Sequence, residues 1–370
     1  MFLRRIIVQN FKNIGSADIS FSPKINCICG NNGEGKTNLL DAVHYLSMTK
    51  SFLSVNDRYT YTYGKDEAVL HGTFQDGDRE EDIAVSVRSD GAKTVRRNGK
   101  AYKRLSEHIG RIPVVMTAPP DISLIHDSGE ERRRFLNMMI SQIDPEYLRS
   151  VSAYNSLLKQ RNASLRQEGT PDLLLETISG RMCAPAAYIH ARRREAAEQL
   201  AAKAAGYYGF ISGGRESIGI RYRSDLEKAG LEELLAASLQ KDRALGYTTA
   251  GVQRDDLEFS MDGYPLRKCA SQGQQKSFII ALKMAQYSEM CSGRKDRPVL
   301  LFDDLFDKLD SGRVASLIRM VVEGDFGQIF ITDTDEERLR RIVGGITDEG
   351  RFFNVSAGSI TEKDGEPCRG

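Results

Sequence analysis

The spacing of apolar positions changes three times along the chain. From Phe2 to about Ala101 apolar residues come in short runs, many alternating with polar ones. "FLRRIIVQNF", "ADISF" and "KINCIC" predict three strands, the last ending at Gly30. The period then lengthens: Leu39, Leu40, Val43 and Leu46 fall on one stripe and predict a helix over 36–48. "AVLHGTF", "DIAVSVRSDG" and "TVRRNGKAY" predict antiparallel strands joined by turns, and "RIPVVMTAPPDISLI" a further strand and loop.

From Ser128 the pattern is mostly helical and richly charged. "SGEERRRFLNMMISQ" opens on Ser with two carboxylates behind it, as helices do. Leu175, Ile178, Met182, Ala186 and Ile189 form a seam like that of a coiled coil, which Pro185 is expected to kink. A helix from Pro171 to Tyr207 would run roughly 50 Å, so 128–245 reads as an inserted helical arm. The strand pattern returns after Gly246. "DLEFSMDGYPLRK" predicts a hairpin, "RPVLLFDD" a buried strand ending in two aspartates, and "GQIFITDTD" another strand ending in polar residues. The tail after Ser356 is polar and expected to be loose. The fold class is therefore α/β with a mixed sheet: a discontinuous head, 1–127 and 246–370, interrupted by the arm.

Composition narrows the class. A chain of 370 residues, 40% apolar and 28% charged, is an ordinary globular one with room for two lobes. It has no run of about 18 uncharged apolar residues to span a membrane, and "MFLRRIIVQNF" does not read as a signal peptide. Six cysteines lie at 27, 29, 183, 269, 291 and 368 without any C-x-x-C, which argues against zinc and disulfides and for a reducing cytoplasm. Cys27 and Cys29 are expected to face a sheet core. The net charge of +1 leaves nucleic-acid binding to local patches: Arg96–Arg97, Arg132–Arg134 and Arg192–Arg194. Each is also an ordinary solvated face.

The strongest chemical signal is Gly30-Asn31-Asn32-Gly33-Glu34-Gly35-Lys36-Thr37, a phosphate loop G-x-x-x-x-G-K-[ST] between a predicted strand and a predicted helix. Glycines let backbone N–H groups turn inward around phosphate oxygens, and the helix start adds positive partial charge. Lys36 would reach the β- and γ-phosphates of ATP, and the Thr37 hydroxyl would hold Mg²⁺. "VLLFDD" supplies the acids: Asp303 for the metal, Asp304 to orient or deprotonate the attacking water. Asp310 could cap a helix or reach across an interface. "CASQGQQKSF" also opens a helix. Ser271 and Gln274 read as a capping box, but Gly273 and Lys276 lie in a first turn with no acid, which leaves a place for an external anion.

Together these residues resemble the RecF family of recombination mediators, within the ABC-type ATPases that include the SMC proteins. The resemblance covers nearly the whole chain: "VQNFKN", "GNNGEGKTN", "SGEERRRFLNMMISQIDPEYL", "YNSLLKQRNASL", "RDDLEF", "SQGQQKS" and "LLFDDLFDKLD". It implies a P-loop ATPase head and an ATP-dependent homodimer, in which Ser271, Gly273 and Gln274 of one copy cover the nucleotide bound by the other. It implies single-stranded and gapped DNA as partners and recombinase loading with RecO and RecR. It also implies weak DNA-dependent ATP hydrolysis and a part in replication restart and the SOS response. Lys12, Asn13 and Asn38 match positions near the nucleotide. The chain departs from the family at Val252 and Gln253, which stand for Pro and His. At "ITDTD", Asp333 or Thr334 stands where transporters carry a histidine, which implies another way of sensing the γ-phosphate. The glutamine of the usual Q-loop has no clear match. Two other readings compete. A transport ATPase subunit is disfavoured by "SQGQQ" in place of L-S-G-G-Q. An SMC-like tether is disfavoured because 128–245 is too short for long arms.

Overall fold

The computed structural model describes residues 1–54, 56–304, 306, 309–324, 326–344 and 350–363. The chain divides into two compact units, 1–121 with 286–370, and 122–285.

The first unit holds two six-stranded sheets. One is antiparallel, with the order β2 (Ile14–Ser20), β1 (Phe2–Phe11), β4 (Glu67–Asp76), β5 (Arg79–Arg88), β6 (Lys93–Arg97) and β7 (Lys100–Ala101). Alternation builds it: in β5, Ile83, Val85 and Val87 are buried between more exposed neighbours. The other has the order β15 (Ser359–Lys363), β14 (Arg351–Ser356), β3 (Ile25–Cys29), β13 (Ile329–Asp333), β12 (Val299–Phe302) and β8 (Val114–Thr117). Every pairing from β14 to β8 is parallel. Strands β3, β8, β12 and β13 are buried at every position, as continuous apolar runs in a covered parallel sheet are. Cys27 and Cys29 are buried free thiols in β3, and burial is the main cause raising the Cys29 thiol to about 12. The predicted helix 36–48 is α1 (Lys36–Met48), with Leu39, Leu40, Val43 and Leu46 buried. Helices α9 (Ser311–Glu323) and α10 (Glu336–Gly344) complete the unit.

The second unit is built on α3 (Gly129–Ile143), α4 (Pro145–Arg166), the 41-residue α5 (Asp172–Ser212) and α6 (Leu231–Leu245), preceded by the short α2 (Ser123–His126). All five seam residues are buried, and the seam continues through Ala196, Leu200, Ala204 and Tyr208. Each large apolar side chain so buried contributes about 1.5–3 kcal/mol. Helix α5 continues through Pro185. Its seam rows bury enough surface to outweigh one missing hydrogen bond.

The units meet the predicted boundaries imperfectly, and pairing explains why. A strand lies inside the stretch expected to be the helical arm: β9 (Ile218–Arg223), which pairs with β10 (Asp256–Met261), itself paired with β11 (Tyr264–Pro265). Residues 246–271, expected with the head, therefore cluster with the helices, as do the short α7 (Leu266–Cys269) and most of α8 (Gln272–Cys291). The expected loose tail is corrected too: β15 pairs along its length with β14. Residues 364–370, Cys368 among them, lie outside the described residues.

Two of the basic patches spend most of their charge on partners within the chain. Arg132 grips Asp256 through Nε and Nη2 (2.6 and 3.1 Å), and Arg133 donates to the Asp255 carbonyl (2.8 Å). Arg193 is buried and donates to Asp255 (2.7 Å), the Val252 carbonyl (2.7 Å) and the Tyr147 hydroxyl (2.9 Å). Arg192 pairs with Asp144. Arg97 pairs with Glu81, while Arg96 and Arg194 stay exposed. Among the described residues no helix is long and apolar enough to cross a membrane.

Candidate nucleotide-binding site

Parallel pairing sets the site. Asp333, ending β13, pairs with Cys29, ending β3, and Ile331 pairs with Phe302, ending β12. The chain leaves β3 into the loop Gly30–Thr37 and leaves β12 into Asp303–Asp304, so one sheet edge carries both. Two glycines have backbones no other residue would favour. Gly30 has φ 150°, and a Cβ there would lie 2.3 Å from the Val355 carbonyl oxygen; Gly35 has φ 117°, and a Cβ would strike the Asn13 amide at 2.7 Å.

Gly35 also caps α1 without any side-chain acceptor, and the first turn holds no acid. That is the arrangement of an anion site. Lys36 is buried with its ammonium on the loop's own carbonyls, 2.6 Å from Gly30 and 2.9 Å from Asn31. The loop is braced from outside. Asn13 donates to the Glu34 carbonyl (3.0 Å) and accepts from Asn38 (2.8 Å); Gly358 N–H donates to the same Glu34 carbonyl (2.9 Å), and Ala357 N–H to its carboxylate. A cleft of about 210 Å³ beside the loop is lined by Gly30, Asn31, Glu34, Thr334 and Ser356 among others. Asn32 and Gly33 form its exposed tip.

Thr37 donates to both oxygens of Asp303 (3.0 and 2.8 Å), joining residues 266 positions apart. Thr332 donates to Asp303 as well (2.7 Å) and accepts from the Asp304 N–H (3.0 Å). Burial raises the Asp303 carboxyl above its usual range, opposed by the Thr332 and Thr37 hydrogen bonds. A cation beside it would relieve that cost. A hydroxyl and a carboxylate are hard oxygen donors that suit Mg²⁺, whose other ligands are water and phosphate. Among the described residues no cluster of three or more His, Cys, Asp or Glu side chains could hold a metal by itself. Asp304 has a left-handed backbone (φ 52°), rare for a non-glycine residue and concentrated at functional sites.

Thr332 was not singled out in the sequence, and its only signal was its place in "ITDTD". The Lys12 ammonium is 2.6 Å from fully buried Asp41, which also accepts from Ser51 (2.6 Å) and the Phe52 N–H (2.7 Å). Asp310 caps α9 by accepting from the Arg313 N–H (3.0 Å); residues 305, 307 and 308 of the same motif lie outside the described residues.

The second unit carries Ser271, Gly273 and Gln274. The capping box is present: Ser271 N–H donates to Gln274 Oε1 (2.7 Å), and Gln274 N–H to Ser271 Oγ (3.3 Å). An acid is present as well, from far upstream. Glu216 accepts from Gln274 Nε2 (2.8 Å) and from the Tyr208 hydroxyl.

The chain matches the family described as "RecF/RecN/SMC N terminal domain" over residues 2–344. It is 41% identical to a protein of Parabacteroides distasonis named "DNA replication and repair protein RecF", over 97% of this chain and 99% of that one. A Porphyromonas gingivalis protein of the same name is 42% identical, over 97% and 100%. A solved structure described as the recombination mediator protein RecF-ATP in the RecFOR pathway superposes with TM-score 0.88 at 28% identity, covering 98% of both chains. An SMC head bound to the C-winged helix domain of ScpA, at TM-score 0.59 and 17% identity, shares the fold alone: the ABC-type ATPase head. On these grounds the chain belongs to the RecF family of DNA replication and repair proteins, within the ABC-type ATPases.

Proposed function

We propose that the chain binds ATP with Mg²⁺ at Gly30–Thr37 and uses it as a switch for pairing two copies on DNA. The observation that carries this reading is the contact of Thr37 with Asp303, which brings a phosphate-loop hydroxyl and a metal-side carboxylate together. Lys36 moves from the loop carbonyls to the β- and γ-phosphates, Asn38 and Asn13 hold the loop, and Lys12 braces α1 through Asp41. Mg²⁺, held by Thr37 and Asp303, would neutralise phosphate charge. Asp304 orients the attacking water, and hydrolysis is slow and DNA-dependent. Ser271, Gly273 and Gln274 of the second copy cover the γ-phosphate, so ATP stabilises the dimer by mass action.

The dimer holds single-stranded and gapped DNA through phosphate contacts from exposed cations such as Arg96 and Arg194. It loads recombinase in the reducing cytoplasm with RecO- and RecR-type mediators, in support of replication restart and the SOS response. The relatives' names and the RecF-ATP structure favour this reading over a transport subunit or a tether. A gel shift on gapped DNA with and without ATP, across a salt series, tests it. An ATP-dependent shift that weakens with salt is expected; an absent or salt-insensitive shift refutes it. Light scattering adds a second arm: Ser271→Arg keeps ATP binding and loses the ATP-dependent dimer, whereas Asp304→Asn lengthens the dimer's life.

A further inference from the structure

Asp333 and Arg338 have no part in the site described so far. Asp333 ends β13, between the strand that launches the phosphate loop and the strand that leads into Asp303 and Asp304. It is 1% exposed. A carboxylate so buried needs a cation, and Arg338, in the first turns of α10, supplies it. Nη2 lies 2.6 and 2.7 Å from the two carboxylate oxygens, and Nε lies 3.0 Å from one of them.

The turn between them is closed on the pair. Asp335 N–H donates to Asp333 (2.9 Å), and the Asp335 carboxylate accepts from Arg338 N–H (2.9 Å). The guanidinium lies 5.9 Å from the ring of Phe306, two residues past Asp304. Its pKa is raised chiefly by the hydrogen bond to Asp333, with smaller contributions from the charges of Asp335 and Asp304.

Two features make this more than a brace. The Asp333 pair engages Nε and Nη2, which leaves Nη1 outside it, and the side chain is 37% exposed. A planar guanidinium can hold a carboxylate on one edge and present its remaining N–H groups to a phosphate. Arg338 is therefore fixed in orientation and always charged, and it lies against Phe306, two residues past Asp304.

We propose that Arg338, aimed by Asp333, donates from Nη1 to the terminal phosphate of the bound nucleotide, so that the site distinguishes a triphosphate from a diphosphate. This rests on the reading that Gly30–Thr37 binds ATP. Calorimetric titration of Mg-ATP and Mg-ADP into the full chain, Arg338→Gln, Arg338→Lys, Asp333→Asn and Lys36→Ala tests both.

Arg338→Gln weakens ATP by about tenfold or more and leaves ADP little changed. Arg338→Lys recovers part of the loss, and Asp333→Asn gives a smaller loss that is again selective for ATP. Equal losses for ATP and ADP would make the pair only a brace, and no loss would remove Arg338 from the nucleotide; either overturns the proposal. If Lys36→Ala binds ATP normally, the phosphate-loop reading itself has failed. Melting curves on each variant confirm folding, and the milder Arg338→Lys carries the comparison if Arg338→Gln does not fold.

Discussion

The loop Gly30–Thr37 and the segment Ser271–Gln274 pose the same local problem and solve it oppositely. Both open a helix, and neither has an acid in its first turn. At the loop, Gly35 provides no side-chain cap, and Lys36 rests on carbonyls that a phosphate easily outbids. At the segment, Ser271 and Gln274 cap one another, and Glu216 brings a carboxylate to Gln274. One end is kept ready for an anion, and the other is satisfied from within the chain. On the proposed reading, the loop takes nucleotide first. The segment engages second and must give up internal hydrogen bonds to do so, which keeps pairing of the two copies weaker than nucleotide binding.

The largest expected effect concerns the scaffold of the unit that carries the segment. Arg193→Ala takes the cation from Asp255, which is fully buried with Oδ1 already lacking a hydrogen-bond partner and keeps only the Tyr222 hydroxyl on Oδ2. Urea unfolding should report a loss of about 3–5 kcal/mol; a loss under about 1 kcal/mol would put this side of the comparison on apolar packing instead. Next, Lys36→Ala lowers ATP affinity about a hundredfold, near 3 kcal/mol, with little change in melting temperature. Calorimetry showing unchanged affinity would erase the contrast between the two helix starts. The smallest effect sharpens it: Ser271→Ala costs about 1 kcal/mol of stability through the lost cap and leaves ATP affinity of the single copy alone. A drop in that affinity would mean the segment takes part before pairing.

What the sequence made legible is what depends on near neighbours. The stripe Leu39, Leu40, Val43, Leu46 gave α1 with its bounds, and the order of strand, glycines, Lys and Thr gave the loop. What it concealed depends on partners far along the chain. Arg132 and Arg193 read as surface charge because their acids lie 124 and 62 positions away. The segment's acid lies 58 positions from Gln274. Strand β9 was absorbed into a helical region because "IGIRYR", although it alternates, is a single six-residue run between long helical stretches, and its partner β10 lies more than thirty positions on. The motif matched Lys12 to a position near nucleotide but gave no sign of its partner Asp41, one helical turn beyond Thr37 on the same helix.

The parallel register of β3, β13 and β12 also governs how this site can change over generations. Each strand delivers its chemistry within a residue or two of its last ladder bond: Gly30 after β3, Asp333 on β13, Asp303 after β12. Inserting or deleting one residue in any of them would shift that group by about 3.3 Å and turn its neighbours to the opposite face. Length variation is thereby excluded from three short tracts and left to the connections between them, so the ruler for this site is the backbone ladder rather than any side chain.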